Sequence, residues 1–121
     1  MKKIFVTRKL LKENEDKLKS LFEVKLNPDD KIYSANEIIE KSKNYDGILS
    51  SVTDPISSDT ISKLSSCIKI IANGAVGFGN IDFKAAREKG IAVTNTPDVL
   101  TDATADIQIL LLLGASRKAY E

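Results

Sequence analysis

Short β-branched runs and longer charged stretches alternate along this chain at intervals of roughly 20 to 25 residues, the spacing of strand–helix crossover units. The first run, KKIFVT (residues 2–7), has the pattern of a buried strand, and a segment with helical periodicity follows it from Leu10 to Phe22. In that helix Leu11, Leu18, Leu21 and Phe22 can share an inward face, while Lys12, Glu13, Glu15, Asp16, Lys17 and Lys19 make the solvated one. FEVKLN (22–27) is a second, weaker strand ended by the NPDD turn. Ser34 and Glu37 have the Ser-x-x-Glu spacing of a capping box, which predicts a helix with Ile38 and Ile39 facing inward.

YDGILSSV (45–52) is the third strand, followed by a turn at Pro55 and a short helix with Ile61 and Leu64 inward. IKIIAN (68–73) is almost continuously apolar, which suits a parallel strand covered on both faces. NIDFKAAREKG (80–90) reads as a helix stopped by Gly90, and IAVTNTP (91–97) as the fifth strand, closed by Pro97. The expected fold is therefore α/β: a doubly wound, parallel, five-stranded sheet over residues 1–97, then one long helix over 98–121 with Thr101 as its N-cap.

That last helix is apolar on every side from Ile107 to Leu113, so it cannot lie on a sheet with one face in water. Its strongest run, ILLLLGA (109–115), is far short of the ~20 residues needed to cross a bilayer, which leaves protein as its covering and excludes a membrane span. Covering each surplus leucine is worth about 1.5–3 kcal/mol, and the expectation is a homo-oligomer formed through residues 101–120.

Composition narrows the function classes. The 121 residues, 42% apolar and 29% charged, suit a single globular domain. Eighteen basic residues against seventeen acidic ones give a net charge of +1, without the basic footprint of a nucleic-acid binder, so the expected ligands are small. Cys67 is the one cysteine and the N-terminus carries no signal-peptide pattern, which points to the cytoplasm. There is no histidine, which excludes Ser-His-Asp and Cys-His catalysis and leaves no plausible metal-ligand set.

Asp46, Asp54 and Asp59 fall near the end of the third strand, where α/β sheets bind ligands, but aspartates in such loops more often form turns and caps. The residues after the first strand, TRKL, lack the paired acids of a phosphoacceptor domain, and a lone Thr7 beside Arg8 is poor support for a flavin-phosphate loop. A better candidate is NGAVGFGN (73–80), between the fourth strand and the next helix. Its glycines, Gly74, Gly77 and Gly79, are in the wrong order for a dinucleotide fingerprint, yet successive backbone N–H groups there could cradle an anion. Residue chemistry alone leaves two readings, a carboxylate nest or a tight turn.

The ordered combination IKIIANGAVGFGNIDFKAAREKGIAVTNTPDVLTDATADIQILLLL (68–113) resembles the N-terminal part of the D-isomer-specific 2-hydroxyacid dehydrogenases. NTPDVLTDATAD (95–106) is most similar to the glyoxylate/hydroxypyruvate reductase branch. The resemblance spans Met1 to Glu121, weaker before Tyr45 and stronger after Ile68. It implies a flavodoxin-like substrate domain over 1–97, with 98–121 a crossing helix leading to a Rossmann domain, absent from these residues, that binds NAD or NADP. By the same resemblance Ala75, Val76 and Gly77 match the loop that holds the 2-oxoacid carboxylate, Ser51 and Val52 a loop lining the pocket, and Thr104 a position contacting the nicotinamide cofactor.

Departures from the family pattern are equally informative. The cofactor fingerprint and the catalytic arginine, acid and histidine of such enzymes lie beyond the crossing helix, and Arg8, Arg87 and Arg117 do not match that arginine. Gly79 stands where an acidic residue is common. The implied activity is NAD(P)-dependent reduction of a small 2-oxoacid, with these 121 residues supplying the substrate half, no catalytic residue, and neither turnover nor cofactor binding alone. The alternative is a non-catalytic, dehydrogenase-like binding or assembly module.

Overall fold

The computed structural model describes residues 1–119. Its elements are β1 (Lys3–Val6), α1 (Lys12–Leu21), β2 (Glu23–Lys25), α2 (Ala35–Ser42), β3 (Gly47–Ser50), α3 (Ser58–Lys63), β4 (Ile70–Asn73), α4 (Phe83–Glu88), β5 (Ala92–Thr94) and α5 (Thr101–Ser116). All five strands are parallel, in the order β2-β1-β3-β4-β5, with Phe5 opposite Ile48, Ile48 opposite Ile71 and Ile71 opposite Val93. This is the flavodoxin-like doubly wound order, in which the two winding directions diverge between β1 and β3.

Because successive strand residues point to opposite faces, the register aligns Phe5, Ile48, Ile71 and Val93 on one side of the sheet. That side is fully dressed: Ile38 and Ile39 of α2, Ile61 of α3 and Ala86 of α4 close over it, together with Ile56, Leu64, Ile68, Ile81 and Ile91. The capping box anticipated at α2 is present, with the Ser34 hydroxyl accepting from the Glu37 N–H and the Glu37 carboxylate accepting from the Ser34 N–H. Gly90 follows α4 with φ 73°, a left-handed turn that glycine adopts without the Cβ penalty. The Lys89 ammonium donates to the carbonyls of Ile61, Ser62 and Leu64, which satisfies the C-terminal end of α3.

The second face departs from the expectation drawn from β4. Ile4, Leu49, Ile70 and Ala72 line an apolar groove of about 500 Å³ together with Leu18 of α1 and Phe22 at its C-cap. The apolar pattern of β4 reported what the strand can bury, whereas Ile70 stays about a third exposed because only one helix lies on that side.

α1 itself differs in detail. It buries no residue, and Leu11 and Leu21, expected on its inward face, are exposed. Leu11 is the extended N-cap residue rather than a helical one, which takes its side chain off the stripe. α5 begins at Thr101, so the N-cap is Leu100, with no side-chain capping bond, and not Thr101. Ile107 and Ile109 to Leu113 are each more than half exposed, as all-round apolarity without a covering surface requires. No helix among the described residues is long and apolar enough to cross a membrane. Tyr120 and Glu121, the last residues of the anticipated crossing helix, lie outside the described residues, as does the end of the 101–120 association surface.

Candidate functional site

Two loops leave the C-terminal ends of neighbouring strands: 51–57 after β3 and 74–82 after β4. Their proximity follows from the sheet register, because Ser50 is opposite Asn73 and the Gly74 N–H donates to the Ser50 carbonyl at 2.8 Å. Further out, a parallel bridge joins Ile56 to Ile81, with the Ile56 N–H donating to the Asn80 carbonyl and the Asp82 N–H to the Ile56 carbonyl, both at 3.0 Å. The crevice at the carboxyl ends of these strands is where open α/β sheets take ligands.

Within the second loop the backbone polarity is one-sided. The carbonyl of Ala75 accepts from the Thr96 N–H at 2.9 Å and that of Val76 from Asn95 Nδ2 at 2.8 Å. The Gly77 carbonyl accepts from Asn73 Nδ2, and the Phe78 carbonyl from the Ile81 N–H, both at 3.0 Å. Four successive oxygens are thus tied into the protein, whereas the N–H groups of residues 75–79 have no protein acceptor among the described residues. Such a run of donors favours an anion with several lone pairs, a carboxylate or phosphate in kind. Phe78 anchors the far side of the loop through an edge-on contact with Phe83, ring centroids 5.6 Å apart.

The first loop is organised by a buried carboxylate. Asp54 has no exposed surface, and its Oδ2 accepts from the Ser51 N–H at 2.7 Å and from the Thr7 hydroxyl at 2.5 Å, while Oδ1 has no partner. Asp54 therefore shapes the turn carrying Ser51 and Val52. Asp59 pairs with Lys63 within α3, and Asp46 accepts from the Lys3 N–H and the Lys2 ammonium, so neither faces the loops. Hydrogen bonding to the Lys2 ammonium holds the Asp46 carboxyl below its ordinary range.

Arg8 braces the outer side of the first loop. Its guanidinium grips both oxygens of Asp30, at 2.8 and 2.9 Å, and donates to the Thr53 hydroxyl at 2.9 Å. The Arg8 hydrogen bonds, helped by the Lys9 N–H, hold the Asp30 carboxyl well below the usual carboxylate range, and Asp30 in turn raises Arg8. With its charge matched in this way, Arg8 acts as a strut between Asp30 and the first loop.

The structure brings five of the six sequence-predicted site residues to one edge: Ser51, Val52, Ala75, Val76 and Gly77. Ser51 is half-buried, Ala75 is buried, and Val52, Val76 and Gly77 are exposed. Thr104 stands apart, exposed on α5, its N–H donating to Leu100 within the helix and no hydrogen bond joining it to the loops. Sequence reasoning missed Asn73 and Asn80, whose side chains cross-link the two loops; a polar residue closing an apolar strand and another shortly before the next helix were the available signals.

A flavodoxin-like sheet whose carboxyl edge carries a loop of backbone donors without protein acceptors among the described residues defines the class: a doubly wound, parallel α/β unit with a candidate anion site. Comparison with known proteins places it further. Residues 4–121 match the model of the D-isomer specific 2-hydroxyacid dehydrogenase catalytic domain, and the chain belongs to that family. It is 40% identical over 119 residues to a glyoxylate reductase of Korarchaeum cryptofilum, an alignment covering 98% of this chain and 36% of that protein. The structure of a glyoxylate reductase from Paecilomyes thermophila superposes with TM-score 0.82 at 28% identity, covering 98% of this chain and 39% of that one. NAD+-bound 3-phosphoglycerate dehydrogenase from Entamoeba histolytica superposes with TM-score 0.80 at 25% identity, over 99% and 41% of the two chains. The chain thus spans little more than a third of the length of the relatives it matches.

Proposed function

We propose that residues 1–97 form the substrate-binding unit of an NAD(P)-dependent 2-hydroxyacid dehydrogenase acting on a small 2-oxoacid such as glyoxylate or hydroxypyruvate. The observation that carries this reading is the row of backbone N–H groups at 75–79 without a protein acceptor among the described residues, beside the four tethered carbonyls of 75–78, which fix the peptide planes carrying the N–H groups of 76–79. Ala75, Val76 and Gly77 would hold the substrate carboxylate, and Ser51 and Val52 would wall the pocket. A backbone nest suits that task, because it offers preorganised donors without introducing a group that titrates.

Residues 98–121 are read as the crossing to a nucleotide-binding domain, which gives the apolar α5 its covering. The cofactor fits the residues present to a limited extent: Thr104 is an exposed hydroxyl near the start of α5, suited to hydrogen bonding a nicotinamide carboxamide. When bound, the reduced nicotinamide supplies the hydride; this chain's own part is to fix the carboxylate, and hence the keto carbon, in one orientation. With no histidine to donate a proton, the 121 residues bind substrate but do not turn it over. A homo-oligomer through 101–120 covers α5 when the chain is alone, and the setting is the cytoplasm.

Calorimetric titration with glyoxylate, paired with an NADH-oxidation assay on the same preparation, tests the reading. Binding without turnover is expected. NADH consumption above a mock preparation overturns the inactivity of the chain, and absence of binding favours the non-catalytic module.

A further inference from the structure

The side chains of Asn73 and Asn80 lie between the two pocket loops and are hydrogen-bonded in series. The Ser50 hydroxyl donates to Asn73 Oδ1 at 3.0 Å. Asn73 Nδ2 donates to the Gly77 carbonyl at 3.0 Å and to Asn80 Oδ1 at 3.2 Å. Asn80 Nδ2 then donates to the carbonyls of Ser51 at 3.0 Å and Asp54 at 3.1 Å. Each amide has a single orientation that satisfies its neighbours: turning Asn73 over would set its oxygen against the Gly77 carbonyl, and turning Asn80 over would set its oxygen against two carbonyls.

From this arrangement we infer that Asn73 and Asn80 are positioning residues, a two-amide relay that holds the loop of Ser51 and Val52 and the loop of Ala75 to Gly77 at one fixed separation. The inference rests on the reading of these loops as the 2-oxoacid pocket. Neither asparagine touches the substrate. Asn73 holds the Gly77 carbonyl and with it the Phe78 N–H of the same peptide plane, which pins the end of the donor row, and Asn80 carries the same constraint across to the opposite wall. Asn73 is buried at the carboxyl end of β4 and Asn80 is partly buried, so water does not readily replace either amide. The pocket is then preformed, and a carboxylate meets oriented donors instead of having to order two loops.

The directionality of the relay supplies a test that a merely structural role would not pass. Asn80→Asp keeps an acceptor for Asn73 but loses both donations to the first loop. Asn73→Asp keeps an acceptor for Ser50 but loses the donations to Gly77 and Asn80. Backbone order parameters from 15N relaxation on the 121-residue chain should be about 0.85 in both wild-type loops. Asn80→Asp should lower them selectively at Val52 and Thr53, and Asn73→Asp selectively at Val76 to Gly79, while Ile48 and Ile71 stay rigid in both.

The affinity for glyoxylate should fall at least tenfold in each variant. Asn80→Ser, which retains a donor on a shorter arm, should lose less, and it remains informative if an aspartate variant fails to fold. Equal loosening of both loops by both variants, or loops already mobile in the wild type, overturns the relay. If the wild type ignores glyoxylate while the selective loosening is present, the substrate reading fails and the relay stands; if glyoxylate binds equally well to all variants, the positioning role fails and the substrate reading stands.

Discussion

Gly77→Ala separates a substrate nest from a tight turn, because the two readings require the glycine for different reasons. A turn that needs glycine needs it for a left-handed φ or for lack of room. Neither applies at Gly77: its φ lies outside the left-handed range and a Cβ built there meets nothing within 4 Å. On the folded side the methyl is therefore free of strain, and the restricted unfolded chain should make the variant neutral or more stable by up to about 1 kcal/mol. The same methyl enters open space at a loop whose N–H groups have no protein acceptor among the described residues, space that a carboxylate bound to those groups would need. Displacing that contact forfeits a charge-assisted hydrogen bond, worth ~1.5–3 kcal/mol, or roughly ten- to a hundredfold in affinity. Urea unfolding and glyoxylate titration of the two proteins read both arms. A loss of stability above ~2 kcal/mol with unchanged affinity would refute the reasoning and make the loop a structural turn.

Three further outcomes follow from other contacts. Asp54→Asn should cost less than about 1 kcal/mol, because an amide oxygen can still accept from Ser51 and Thr7 and only the partnerless Oδ1 changes chemistry; Asp54→Ala should cost about 2 kcal/mol, and equal losses in urea unfolding would show that the charge itself is needed. The Glu37 carboxyl is lowered to about 2 by the Lys31 ammonium first and the Ser34 N–H next. A lowered folded-state value means stability that is present above the unfolded value of 4.5 and lost as pH falls toward 2, so the gap in unfolding midpoint between wild type and Glu37→Gln should close over that window and stay constant above it. Light scattering at tens of micromolar should find the chain associated through α5, and Leu110→Glu with Leu112→Glu should shift it toward monomer; a monodisperse wild-type monomer would contradict the association.

The alternation of five strands and their helices was legible because each strand advertised itself by a β-branched run and each crossover by its helical period, and the capping box at Ser34 and Glu37 is local enough to read in four residues. Coverage was less legible. Nothing in the spacing of Leu11 and Leu21 reveals that the first is an extended cap residue and the second faces solvent, and the apolar run of β4 does not show that one of its faces has a single helix above it. At the site, the motif around Gly77 marked the loop, but its supports were invisible for a physical reason. Asn80 reaches carbonyls 29 and 26 residues away, and Thr7 reaches Asp54 across 47, so their roles exist only once the strands are in register. Thr101 failed as a cap because the helix boundary falls one residue earlier, at Leu100.

The central claim is that the amides of residues 75–79 hold the carboxylate of a 2-oxoacid, and the most direct measurement is a 15N-resolved NMR titration of the chain with glyoxylate. The account predicts saturable shifts concentrated at Ala75, Val76 and Gly77, with smaller ones at Ser51 and Val52 and none in α1 or on the open sheet face. Saturable shifts centred elsewhere, or a donor row that glyoxylate leaves unmoved, would contradict it.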